Sequence, residues 1–185
     1  MKVCAALSAK QLSVNMIAKQ TDISAPTAKS WLKVLQRNLL IRTAAEKDNP
    51  LHSTIFFSDT GILCALLGIE GPEQLILSPH RERVARTFAF NELLRGRFSK
   101  GLDPELECGI GCDFHANWKG GLDLVLDPSI EVTQSKMQQA LQISRSNAKK
   151  VVMLYLGDVT YTKDGLDCIS FRDWTKLAME IDYFS

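Results

Sequence analysis

The 185-residue chain has no long apolar run. Its most apolar stretch, Ile55 to Ile69, is interrupted by Asp59, Thr60 and two glycines. That is too short and too punctuated to span a bilayer. The N-terminus lacks an apolar core followed by a small-residue cleavage site, so no secretory signal is expected. No G-x-x-x-x-G-K-S/T run occurs, so no nucleotide is expected on a P-loop. Cysteines are few and odd in number: five, at positions 4, 64, 108, 112 and 168. That argues against a disulfide framework and for a reducing, cytoplasmic setting. Cys108, Cys112 and His115 have the spacing C-x3-C-x2-H, but a structural zinc wants four ligands. Small buried thiols are the simpler reading.

What is present is the composition of a folded soluble protein, 45% hydrophobic and 23% charged. The length suits one large domain or two small ones. The formal net charge of +1 hides an asymmetry. Residues 1–50 hold eight Lys/Arg against three Asp/Glu, a net of +5, and residues 51–185 hold fourteen against eighteen, a net of −4. Contact with a phosphate backbone is therefore expected from the first part. A solvated helix face would give the same signal.

Residues 1–9 read as a helix, and Ser13 to about Gln20 as a second, short one with Met16, Ile17 and Ile23 able to face a core. Ser24 suits the N-cap of a third helix with Pro26 in its first turn, where a missing N–H costs nothing. Ala28, Trp31, Leu32, Leu35 and Leu39 follow the spacing of one buried face. Thr27, Lys29, Ser30, Lys33 and Arg37 occupy the other. After Ile41 a polar stretch leads to the strand signal of residues 54–57. This is the order of a winged helix-turn-helix, expected over residues 1–70. The third helix would enter the major groove of duplex DNA, with Lys29, Ser30 and Lys33 on DNA and Lys47 or His52 on the wing. That face offers cations rather than base-reading amides, so phosphate contact is expected. Winged helices also serve as docking or dimerisation modules, so a protein partner or a second copy is the alternative.

Asp59 suits the cap of a short helix that Gly68 stops. Residues 70–80, with Gly71, Pro72 and Pro79, read as a connection. A long helix follows over 80–98, carrying Glu92. Residues 80–185 then alternate as helix, three strands, helix, strand, strand, helix. This is a mixed α/β unit with the order of a restriction-endonuclease-like core, so the fold class is α/β (α+β). Catalysis on such a core needs a D…(D/E)-x-K cluster: two carboxylates hold Mg²⁺ or Mn²⁺, and the metal and lysine activate water. Asp123 and Glu131 would face each other across a hairpin centred near Pro128. Asp113 and Glu92 are further candidates for the metal shell. The lysine position carries Thr133, which cannot supply a cation. Lys136 and Lys119 lie nearby in sequence. The expectation is a degenerate nuclease site; an active divalent-metal nuclease is the alternative, and ordinary solvent-facing strand residues the simplest one.

The stretches SVNMIAKQTDISAPTAKSWLKVLQRNLLI, IFFSDTGILCALLGI, FNELLRGRF, LDLVLD…IEVTQS and KKVVMLYLGD resemble, in that order, the C-terminal half of a large prokaryotic ATPase family. That half is described as domain of unknown function 4143, and the resemblance covers nearly the whole chain. It implies a winged helix and a restriction-endonuclease-like domain that follow a P-loop ATPase domain, with DNA association and an ancestral nuclease fold. Three departures stand out. The P-loop is missing, so this chain is expected to be a piece of such a protein or a truncated relative. The family's IEVK ends in Thr133. The family's acid before NELL falls on Arg86, where an arginine would neutralise a metal-facing position.

Overall fold

The structure, a computed structural model, describes residues 1–47, 49–99, 101, 106–109, 112–116, 121–146 and 150–180. Helices and strands are mixed, with two open sheets. The chain divides into two units: Met1–Ala45 with Pro50–Phe88, and Glu46–Asn49 with Ala89–Ser185. Among the described residues no helix is long and apolar enough to cross a membrane.

The first unit begins with α1 (Lys2–Ala6), β1 (Lys10–Gln11), α2 (Val14–Thr21) and α3 (Ala25–Arg37). The strands β2 (Ile41–Glu46) and β3 (Asn49–Phe57) then form a hairpin, and β1 joins it to give the order β1-β3-β2. Local chemistry sets the boundaries. The Ser13 hydroxyl accepts the Met16 N–H to open α2, and Asp22 ends it in a left-handed conformation (φ 52°). Two residues later the Ser24 hydroxyl accepts the Thr27 N–H at 3.2 Å, with Pro26 in the first turn. The Ser24→Ala variant should lose about 1 kcal/mol of stability, read as a lower urea midpoint at unchanged slope. α4 (Thr60–Leu66) opens on the Asp59 carboxylate, which accepts the Ile62 N–H at 2.7 Å, and gives way at Gly68 (φ 72°). α5 (Pro72–Leu77) lies inside the stretch expected to be a plain connection. The core gathers Ala28, Leu32, Ile41, Ile55, Phe57 and Leu63, all at most 5% exposed. Each large apolar side chain so buried contributes about 1.5–3 kcal/mol.

Two members of the expected α3 core face lie outside it. Trp31 and Leu39 are each 59% exposed. α3 ends at Arg37 and Leu39 turns left-handed (φ 55°), so the last position of the assumed helical spacing does not exist. Trp31 falls to the side of the stripe formed by Ala28, Leu32 and Leu35. Met16, also expected inward, is 45% exposed.

The division between the units falls within α6 (Arg81–Ser99). The second unit continues with β4 (Leu106–Glu107), β5 (Phe114–Ala116), β6 (Leu122–Asp127), α7 (Gln134–Ser146), β7 (Lys150–Tyr155), β8 (Tyr161–Lys163), β9 (Leu166–Ser170) and α8 (Phe171–Glu180). Its sheet runs β4-β5-β6-β7-β9-β8. β4, β5 and β6 are antiparallel; β6, β7 and β9 are parallel. A parallel neighbour requires a crossover, and α7 supplies it between β6 and β7. All six residues of β6 are buried, as befits a central strand covered on both faces. Val125, Met153 and Tyr155 pack with Met137 and Ala140 of α7.

The three antiparallel strands are not the three expected. Residues 130–134 were expected to form a strand paired with β6 through a hairpin at Pro128. Instead residues 128–133 form the loop into α7, and the third strand is β4. The cause is the buried carboxylate of Asp127. It accepts N–H bonds from Ser129 (3.1 Å) and Thr133 (2.7 Å) and the Thr133 hydroxyl (2.8 Å). Side-chain bonds to nearby backbone replace a ladder here.

Candidate functional site

α3 winds its residues into three stripes. Ala28, Leu32 and Leu35 face the core. At roughly 100° per residue, Trp31 and Val34 fall on one flank and Lys29 and Lys33 on the other. Ser30 and Arg37 lie farthest from the core. Thr27, Lys29, Ser30, Lys33 and Arg37 are all exposed. Lys29, Lys33 and Arg37 follow at four-residue intervals, a rise of about 6 Å each. The sequence holds no Asp or Glu between Asp22 and Glu46, and it holds Lys29, Lys33, Arg37 and Arg42. The stripe therefore carries uncompensated positive charge within its own segment. Lys47, expected on the wing, belongs to the second unit. Its N–H donates to the Cys108 carbonyl at 2.9 Å, beside a parallel bridge from Glu46 to Cys108.

The acidic residues of the second unit lie in separate environments. The register of β5 on β6 sets His115 opposite Asp123, and that of β4 on β5 sets Glu107 opposite His115. Glu107, His115 and Asp123 thus form a row across three strands. The His115 imidazole bonds Asp123 through Nδ1 and Oδ1, with both residues at most 2% exposed. The Asp113 carboxylate, also buried, accepts the Leu126 N–H at 2.8 Å. Glu92 is buried in an ion pair with Arg95 one turn on. Glu131 is exposed in the loop beyond β6. It acts electrostatically on Tyr161, whose hydroxyl is pushed up to about 12, first by burial, then by Cys168, with Tyr155 and Glu131 adding. Asp123 pairs with Val151 near one end of β7, whereas Tyr155, at the other end, stacks edge-on with Tyr161. Asp123 and Glu131 therefore attach to opposite ends of the parallel strands, and the expected facing pair does not form.

These groups do not suit Mg²⁺ or Mn²⁺, which need several converging oxygens. Among the described residues no three His, Cys, Asp or Glu side chains converge on a possible metal position. The zinc candidates Cys108, Cys112 and His115 likewise do not converge as a group of three. Cys108 and Cys112 form no disulfide, and Cys112 is pushed up to about 12 by burial first and then by Asp123 and Asp113, against the opposing charge of Lys47. A thiol that stays protonated at neutral pH is a poor nucleophile.

Thr133 has a structural task. Its hydroxyl donates to Asp127 and accepts the Lys136 N–H at 3.4 Å, which caps α7. Thr133→Lys should therefore cost about 1–2 kcal/mol and produce no Mg²⁺-dependent cleavage of plasmid. Arg86 donates to the Ala9 carbonyl at 3.4 Å, inside the first unit. Lys119 lies outside the described residues.

The buried His115–Asp123 pair was missed by sequence reasoning. A signal existed: positions 115 and 123 are equidistant from 119, the first residue of the Lys-Gly-Gly stretch, so a hairpin centred there puts them opposite each other.

Residues 1–73 match a family model described as a domain of unknown function (DUF8612). No curated protein and no solved structure matches the chain.

Proposed function

We propose that this chain is a DNA-associated binding module: a winged helix that contacts duplex DNA through α3, joined to a restriction-endonuclease-like domain that does not cut. The observation that carries the reading is the exposed row Lys29, Lys33 and Arg37 in a segment without a single acid. A regular row of cations suits a regular backbone of phosphates, and such contacts position a protein without reading sequence. The element order α1-β1-α2-α3-β2-β3, with sheet order β1-β3-β2, supports the winged helix. The order α6-β4-β5-β6-α7-β7, three antiparallel strands and then a helical crossover to a parallel one, supports the nuclease-like core. Against cutting stand Asp123, held by His115, and Asp113, held by the Leu126 N–H. Among the described residues no carboxylates converge for a hydrolytic metal to sit on. The resemblance to the ATPase-linked family agrees with DNA association.

A plasmid incubated with the protein in Mg²⁺ or Mn²⁺ tests both halves of the reading. The expected result is retarded migration of intact plasmid. Cleavage that disappears in an Asp123→Asn variant would overturn the second half, and unretarded plasmid the first.

A further inference from the structure

We infer that the chain pairs with a second copy of itself through the apolar flank of α3, with Val34 of each copy seated in a cleft beside Trp31 of the other. Trp31 and Val34 are neighbours one turn apart on that flank, 59% and 52% exposed. Beside them lies a cleft of about 60 Å3 between α1, α2 and α3, lined by Met1, Val3, Ile17, Ile23, Trp31 and Leu35 among others. Met1 is itself 50% exposed. Single exposed apolar side chains are ordinary on a protein surface. Three of them around an apolar cleft form a patch, and patches mark contact sites. Two features fit a second copy. The surface carries its own complement: the cleft has room for a branched aliphatic tip rather than a ring, and Val34 next to it supplies one. A twofold axis brings the same patch onto itself, so each knob meets the other copy's hole. The charges at the rim are self-complementary as well. Lys2 sits between the lining residues Met1 and Val3, and Asp22 between Thr21 and Ile23; both are exposed. A partner of one charge sign would face one of them with its like, whereas a second copy offers the opposite charge to each. Lys29 and Lys33 lie on the opposite flank of α3, so pairing does not bring the two cation rows together and leaves them open to phosphates. Three large exposed side chains make a small interface, below the standard of roughly 800 Å2 per partner, so the association is weak and exchanges rapidly.

The test is analytical ultracentrifugation of the full-length chain from micromolar to millimolar concentration. The mass should rise with concentration from 20.6 kDa toward twice that value and stop there, because an isologous contact closes at two. Trp31→Ala should weaken self-association by roughly thirtyfold, the loss usual at a central aromatic anchor. Val34→Glu should abolish it, by setting a carboxylate against the apolar cleft and like charges near the axis. Lys29→Ala/Lys33→Ala should self-associate like the parent. A circular-dichroism melt accompanies each variant. If Trp31→Ala fails to fold, Val34→Glu decides, because Val34 is exposed and lies outside the core. A constant 20.6 kDa at every concentration would overturn the inference. So would association that survives both Trp31→Ala and Val34→Glu, or that climbs past a dimer. Association lost in Lys29→Ala/Lys33→Ala would put the contact on the other flank of α3 and overturn it as well.

Discussion

Replacing His115 by alanine should lower the stability of the second unit by about 2–4 kcal/mol, the cost of breaking a buried side-chain hydrogen bond and leaving a void where the ring was. Domains have only about 5–15 kcal/mol to lose. His115 and Asp123 are 1% and 2% exposed and bonded to each other in the middle of the sheet. Truncation removes that bond and opens a void between β5 and β6. A buried carboxyl oxygen that loses a hydrogen-bond partner keeps part of the cost of its lost hydration. Asp123→Asn should cost less, because an amide oxygen still accepts from Nδ1 and the shape is kept. Urea unfolding gives both values from the shift in midpoint at constant slope. A His115→Ala loss under 1 kcal/mol would mean that the pair is not what holds this part of the sheet. The same pair bears on function. A carboxylate already bonded and shielded from solvent is not free to take a metal from solution, so neither variant should acquire nuclease activity.

The second large effect concerns α3. Counterion release makes affinity scale with salt to a power of about −0.9 per neutralised phosphate. At about 50 mM salt each cation then contributes a factor of about 15, so Lys29→Ala/Lys33→Ala should weaken duplex binding by roughly two-hundredfold. Its salt dependence should also flatten, to about a threefold loss between about 50 and 200 mM, as expected when Arg37 alone remains. Both lysines are exposed, so the melting temperature should hardly move. A double variant that binds as tightly as the parent would shift the interface elsewhere.

The sequence was most legible where one side chain sets a boundary. Ser13, Ser24 and Asp59 each open the helix that their position suggested, because a short oxygen-bearing side chain ahead of an apolar face satisfies orphan N–H groups. Legibility failed where the competing partner was remote or ambiguous. The alternation of Ile130, Val132 and their neighbours is a strand pattern, yet Asp127 recruits the backbone of Ser129 and Thr133 and folds them into a cap. The Asp-Pro-Ser turn and a Thr before a helical run were the signals available. Trp31 lay one step off the true core stripe, and only the packing of Ala28, Leu32 and Leu35 fixes where that stripe is centred. In the candidate site, Asp113 and Asp123 were legible as unusual acids within apolar strands. Their partners, the Leu126 N–H and His115, depend on the strand register, which period-two patterns do not encode.

The most direct measurement is the affinity of the unaltered full-length chain for a blunt duplex across a salt series. Three phosphates neutralised by Lys29, Lys33 and Arg37 require a log–log slope near −2.7, which is about a 40-fold loss between about 50 and 200 mM. A slope near zero, or no binding at the lowest salt, would contradict a phosphate grip by this helix.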